Sequence, residues 1–178
     1  MYETAELRWF LRGPVPDEAA AWFEAVVDVA CVEERTDRYL VPRGDGRGCK
    51  LREGRAELKT RLGEAAHLDC GAAAGTPTVW GKRRLRELPD RPTVDVAKRR
   101  RFGRAETSSG ACTLELATVE ACGATWWSVC LEAVGQDADA RERALREAAQ
   151  RWLAHPDTPG LPAEAARAYP AWLREVAG

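Results

Sequence analysis

The sequence predicts an α+β fold: an antiparallel β-barrel, or tunnel, of about eight strands with helices packed outside. Three observations carry this. Strand-length segments alternate charged with apolar residues, most of them are joined by hairpin turns, and three further segments space apolar residues at helical intervals. An antiparallel sheet this long curls and closes because closure removes its unpaired edges.

In chain order, residues 3–12 (ETAELRWFLR) set Ala5, Leu7, Trp9 and Leu11 on one face and Thr4, Glu6, Arg8, Phe10 and Arg12 on the other. After the turn at Gly13 and Pro14, residues 16–30 carry Trp22, Phe23, Val26 and Val27 at helical spacing. Asp17 and Glu18 stand where a helix dipole favours acid. Residues 36–41 (TDRYLV) form a short strand, followed by the turn-rich PRGDGRG.

Residues 50–61, KLREGRAELKTR, read as a hairpin. Cys49 and Leu51 alternate with Lys50 and Arg52, and Ala56, Leu58 and Thr60 alternate with Glu57, Lys59 and Arg61, while Glu53, Gly54 and Arg55 supply the turn. Residues 63–77 hold Gly63, Gly71, Gly75 and Pro77 and are expected to be a loop. Two heavily basic strands follow, 78–86 and 93–102, separated by a turn between Pro89 and Pro92.

Residues 111–135 form a hairpin around Gly123. Leu114, Leu116 and Val119 load its first arm, Trp127, Val129 and Leu131 its second, and Glu115 and Glu132 oppose them. Asp137 or Asp139 caps a helix through Leu153, whose stripe is Leu145, Ala148, Ala149, Trp152 and Leu153. HPDTPGLP is a linker, and residues 163–176 form a last helix, bent at Pro170, that presents Tyr169, Trp172, Leu173 and Val176.

A chain of 178 residues suits one domain, 1–178, and a 45% hydrophobic, 31% charged composition argues against disorder. With 27 Lys and Arg against 28 Asp and Glu, the protein is not a nucleic-acid-binding polycation, so any anion site must come from segregating charge. No apolar run approaches the roughly 20 residues that span a bilayer, and Met1 leads straight into a charged strand, so neither a membrane segment nor a signal peptide is expected and the location is cytoplasmic. Six cysteines without a CxxC pair and two distant histidines read as thiols rather than a zinc site. The abundance of Ala and Arg beside few Lys reads as coding bias.

The helical stripes need an apolar surface. If they cover the apolar strand faces, the charged faces point into the barrel, inverting the usual apolar filling of a small barrel. Such a lumen needs water, ion pairs or a polyanion, because an uncompensated buried charge costs several kcal/mol. The opposite arrangement, with charge in water, leaves the stripes without a partner; alternation alone leaves both open.

In the order of its motifs the chain resembles the CYTH, or triphosphate tunnel, superfamily. Its opening ExExK is matched by Thr4, Glu6 and Arg8, its LRxRE-like strand by Lys50–Glu53, and its Lys-bearing strand by Glu57–Arg61. Its KxR strand is matched by Lys98 and Arg100, and its late acidic strands by Glu115 with Ala117 and Cys130 with Glu132. Residues 168–173, AYPAWL, look like the family's terminal helix. The pattern looks like an uncharacterised branch.

The resemblance implies a charged tunnel that binds a triphosphate or polyphosphate small molecule and hydrolyses it with Mg2+ or Mn2+; a non-catalytic binding module is the alternative, and nucleotide cyclisation ranks last for want of a base pocket. It assigns phosphate contacts to Arg8, Lys50, Arg52, Lys59, Arg61, Lys82, Lys98 and Arg100, the metal to Glu6, Glu115 and Glu132, and catalysis to Glu6 and Lys59. For residues 93–102 two registers compete: Arg99 and Arg101 inward, or, as the motif favours, Lys98 and Arg100. Thr4, Ala117 and Cys130 stand where the family places acids, which weakens the case for metal-dependent turnover.

Overall fold

The computed structural model describes residues 2–28 and 31–178. Among these, the chain runs β1 (Tyr2–Arg12), α1 (Asp17–Val26), β2 (Cys31–Leu40), β3 (Arg47–Arg52), β4 (Arg55–Glu64), β5 (Leu68–Asp69), β6 (Ala74–Gly75), β7 (Thr78–Leu85), β8 (Thr93–Thr107), β9 (Gly110–Ala121), β10 (Ala124–Gly135), α2 (Ala138–Leu153) and α3 (Tyr169–Ala177). Met1 and the end of the expected first helix, Val29 and Ala30, lie outside the described residues.

Eight strands form a closed antiparallel barrel in the order β1-β10-β9-β8-β2-β3-β4-β7, with β7 returning to β1. The expected barrel is therefore present. Two tight turns set its register. Glu53 (φ 49°) with Gly54 (φ 74°), and Cys122 (φ 51°) with Gly123 (φ 74°), occupy the left-handed positions of two-residue hairpin loops, where the backbone twist matches that of the strands. The loop expected over residues 63–77 contains a small second sheet, β5 with β6.

The hairpin expected over residues 50–61 extends to Arg47 and Glu64, and two further strands run five residues past a predicted bound. β2 starts at Cys31 rather than Thr36, and β8 runs to Thr107 rather than Phe102. The additional pairing is polar: Arg99 meets Glu34 at 2.9 Å and Arg100 bonds Glu33, so no apolar alternation marks the early part of β2.

The core lies outside the barrel wall on one side. Leu7 and Trp9 of β1, Leu114 and Leu116 of β9, and Trp127, Val129 and Leu131 of β10 pack beneath Trp22 and Phe23 of α1 and Leu145, Trp152 and Leu153 of α2. Trp22 Nε1 donates to the Trp152 carbonyl at 3.2 Å, tying the two helices together. Asp137 caps α2 by accepting from the Ala140 N–H at 2.7 Å. Among the described residues no helix is long and apolar enough to cross a membrane.

The last helix does something different. Tyr169, Trp172 and Leu173 of α3 pack with Phe10, Tyr39, Val96, Val119 and Trp126, which belong to the inward strand faces, so α3 plugs one end of the barrel. Phe10 stacks on Trp172 at 4.5 Å between ring centres. Gly48 makes room for this helix, since a methyl group there would meet Pro170 Cγ at 3.1 Å.

Candidate functional site

Strand pairing decides what the lumen contains. Directly paired residues share a face, so the chain of partners Glu6↔Glu132↔Thr113 and Arg8↔Cys130↔Glu115 carries one charged face across β1, β10 and β9. Lys50↔Glu57 and Lys59↔Lys82 carry it across β3, β4 and β7. A slip of one residue in either hairpin would send this whole set outward. The result is a cavity of about 320 Å³ lined by nine cationic side chains against four carboxylates.

At the centre, Arg8 Nη1 donates to Glu115 Oε1 at 2.8 Å, and Arg100 Nη1 donates to Glu115 Oε2 at 2.6 Å. Burial works to raise the Glu115 pKa, but the two guanidinium groups overcome it and hold the carboxyl at about 2. Glu6 accepts from Lys59 Nζ at 2.7 Å and lies 3.5 Å from Arg8 Nε. Burial again opposes ionisation, and Lys59 and Arg8 again prevail, so Glu6 is ionised at neutral pH and has no proton to donate. Lys82 bonds Glu132 nearer the open end. Burial lowers the Lys82 pKa and Glu132 and Glu6 more than restore it, so the net shift is upward.

A second node lies on β2. The Asp37 side chain is fully buried; its Oδ1 accepts from Arg52 Nε at 3.2 Å and lies 3.2 Å from Arg35 Nε, and its Oδ2 accepts from Lys98 Nζ at 3.4 Å. Burial raises its pKa, and Lys98, Arg52 and Arg35 bring it down to about 2. Lys98 also bonds the Tyr39 hydroxyl at 2.7 Å. Lys50 lies 3.3 Å from Glu57; burial, with Arg52 adding repulsion, lowers its pKa to about 8.

Of the residues singled out by sequence, Glu6, Arg8, Lys50, Arg52, Lys59, Lys82, Lys98, Arg100, Glu115 and Glu132 all line this one cavity. In β8 the register is that of Lys98 and Arg100; Arg99 and Arg101 point outward to Glu34 and Glu24. Arg61 is not with the others. β4 bulges between Arg61 and Gly63, and the Arg61 guanidinium turns to Glu64 in a second cleft with His67, Thr78 and Arg167, which shares Glu6 and Arg8 with the first. Thr4, Ala117 and Cys130 are all buried.

Sequence reasoning missed Arg35, Asp37 and Tyr39 on β2, Arg104 on β8 and Tyr169 on α3. The inward series Glu33, Arg35, Asp37, Tyr39 alternates, but its partner face is polar too, which hid the strand. Arg104 follows Arg100 by an even step but lies past Phe102, where the alternation predicts the end of the strand.

Glu6, Glu115 and Glu132 are each engaged by a cation, and among the described residues no group of three or more His, Cys, Asp or Glu side chains is arranged to hold a metal ion. Thr4, Ala117 and Cys130, where the resemblance implies acids, supply no carboxylate. The Cys130 thiol is pushed up by burial, so it is not a thiolate ligand or nucleophile at neutral pH.

No family model matches the chain, and no curated protein matches it.

Proposed function

We propose that the lumen binds a triphosphate-bearing small molecule or inorganic polyphosphate, in a chain of the triphosphate-tunnel type. One observation carries this reading: the cavity wall holds more positive charge than it neutralises. Even when Asp37, Glu33 and Glu106 are counted with the four lining carboxylates, nine cations leave an excess of two, and one remains when Lys98 is uncharged. That excess is held in a partly enclosed space with low-dielectric walls, where a polyanion gains most from it. Arg8, Arg52 and Arg100 offer planar donors for phosphate oxygens, and the lysines add compact charge. Six free cysteines fit a reducing, cytoplasmic location.

Calorimetric titration with inorganic triphosphate, with and without Mg2+, tests the reading. Binding is expected on the order of micromolar, weakening as salt rises, and dropping by roughly tenfold or more in a Lys50→Met/Arg52→Met variant. Absence of any heat or thermal shift across these conditions would remove it.

Hydrolysis is the second reading, favoured by one observation: Glu6 and Glu132 are direct cross-strand partners facing the same cavity. The metal would then enter as the Mg2+ or Mn2+ complex of the substrate, using a carboxylate or two beside the phosphates. Phosphate release that needs either metal and disappears in Glu6→Gln and Lys59→Ala supports turnover. Binding without release leaves a non-catalytic module.

A further inference from the structure

The chain has four lysines, and all four line the lumen cavity; its other 23 basic residues are arginine. A coding bias toward arginine acts along the whole chain, yet lysine is retained only here. An amine differs from a guanidinium in one chemical respect that matters inside a cavity: it can lose its proton and become a nucleophile.

The four amines are not equivalent. Lys82 bonds Glu132 and Lys50 lies 3.3 Å from Glu57, neither carboxylate shared with another cation, and Lys59 donates to Glu6 at 2.7 Å with Arg8 farther off at 3.5 Å, so each has a carboxylate that is unshared or held closely. Lys98 does not. Its carboxylate, Asp37, is 3.4 Å away and is shared with Arg52 and Arg35, each at 3.2 Å. The closest contact of Lys98 Nζ is instead the Tyr39 hydroxyl, with the faces of Tyr39 and Tyr169 at 4.9 and 4.2 Å. Ring faces return part of the stabilisation an ammonium loses on leaving water. Burial, reinforced by the charges of Lys50 and Arg8 and opposed by Asp37 and Glu115, still drives the Lys98 pKa well below that of an ordinary lysine.

We propose that Lys98 is a reactive amine that forms an imine with a phosphorylated aldehyde seated in the lumen. Anchoring of the phosphate rests on the binding reading above; the imine is an additional claim. The Nζ lone pair attacks the carbonyl carbon to give a carbinolamine. The C–O bond then breaks, both amine hydrogens leave with the oxygen as water, and a C=N bond remains, so no oxidant or reductant is needed. The Tyr39 hydroxyl, kept protonated by burial, is placed to relay a proton between nitrogen and oxygen.

The test uses the full chain and pyridoxal 5′-phosphate as probe, followed by borohydride reduction, peptide mapping and parallel calorimetry with inorganic triphosphate. The expected product is one phosphopyridoxyl group on Lys98, formed at least about tenfold faster than on Lys82, since each unit of pKa depression multiplies the free amine about tenfold. Excess triphosphate should block it, and pyridoxal lacking the phosphate should label more slowly. A loss of labelling in Lys98→Arg supports the assignment when circular dichroism shows that variant folded, but the wild-type map decides without it. Labelling mainly on another lysine or on the amino terminus, or no labelling while triphosphate still binds, overturns the imine and leaves the binding reading standing. Equal rates for pyridoxal and its phosphate overturn the phosphate-anchored form of the proposal. Failure of both labelling and triphosphate binding overturns the two together.

Discussion

Replacing Asp37 by Asn keeps the shape of a fully buried side chain and removes the charge on which Arg35, Arg52 and Lys98 converge. The carboxyl is held at about 2 against an ordinary 3.8, a displacement worth about 2.5 kcal/mol of stability near neutral pH. Breaking a buried ion pair by removing one partner costs roughly 3–5 kcal/mol, and the partial exposure of Arg52 argues for the lower end. A loss of about 3 kcal/mol is therefore expected, or about 6–12 °C in Tm for a chain of this size, measurable by urea and thermal unfolding. The sign in pH follows from the depressed pKa: the contribution is complete above about pH 4 and disappears as pH falls towards 2, so wild type and variant should converge in acid. The substitution also adds to the positive excess of the lumen, so inorganic triphosphate should raise the Tm of the variant more than that of wild type. A loss below about 0.5 kcal/mol, within the range of an ordinary surface change, would mean that Asp37 does not compensate these cations.

Lys50 is charged at a cost in the folded state, because burial and Arg52 hold its pKa at about 8 rather than 10.5. The penalty is present below about pH 8 and relieved as pH rises to the unfolded value, so the stability gained by Lys50→Met should shrink by about 3 kcal/mol between pH 7 and pH 11 in paired urea titrations. Trp172→Ala removes the ring that stacks on Phe10 and seals the end of the barrel, and should cost about 3–5 kcal/mol in the same assay; a loss under 1 kcal/mol would show that α3 is not an integral plug.

The hairpin over residues 50–61 was legible because two independent signals agree in it. Alternation gives each arm a charged and an apolar face, and Glu53-Gly54 fits the left-handed turn that fixes how the arms pair. β2 was only half legible for the opposite reason. Its outward residues Glu34 and Arg38 find partners in Arg99 and Asp95 across the strand pair, so that side of the wall is finished by ion pairs instead of a helix and leaves no apolar period to read. The run from Lys98 to Arg101 is cationic at every position, and alternation has nothing to count there. What fixes its register is Val96, turned inward to meet the α3 plug, a contact between segments far apart in sequence. Arg61 follows the parity of Lys59, but its side chain turns along the strand to Glu64 in a neighbouring cleft, next to a bulge that leaves no mark in a two-residue period.

The acids of the lumen expose a deeper ambiguity. A barrel wall crowded with Arg and Lys must neutralise most of them to fold at all, and the positions that do so are inward strand positions, the same ones a metal-binding carboxylate would need. Glu6, Glu115 and Glu132 therefore satisfy both roles in the sequence pattern, and only their partners separate the roles: Lys59 with Arg8, Arg8 with Arg100, and Lys82. Counterion carboxylates have a consequence that ligand carboxylates do not. Each one lowers the charge available to a polyanion, so the lumen is tuned by the difference between nine cations and the acids that face them, rather than by any single residue. On that account, neutralising an acid should tighten triphosphate binding, whereas neutralising a true metal ligand should weaken it. Calorimetry on Glu115→Gln, whose carboxylate is shared between Arg8 and Arg100, therefore separates the two roles by the sign of the change.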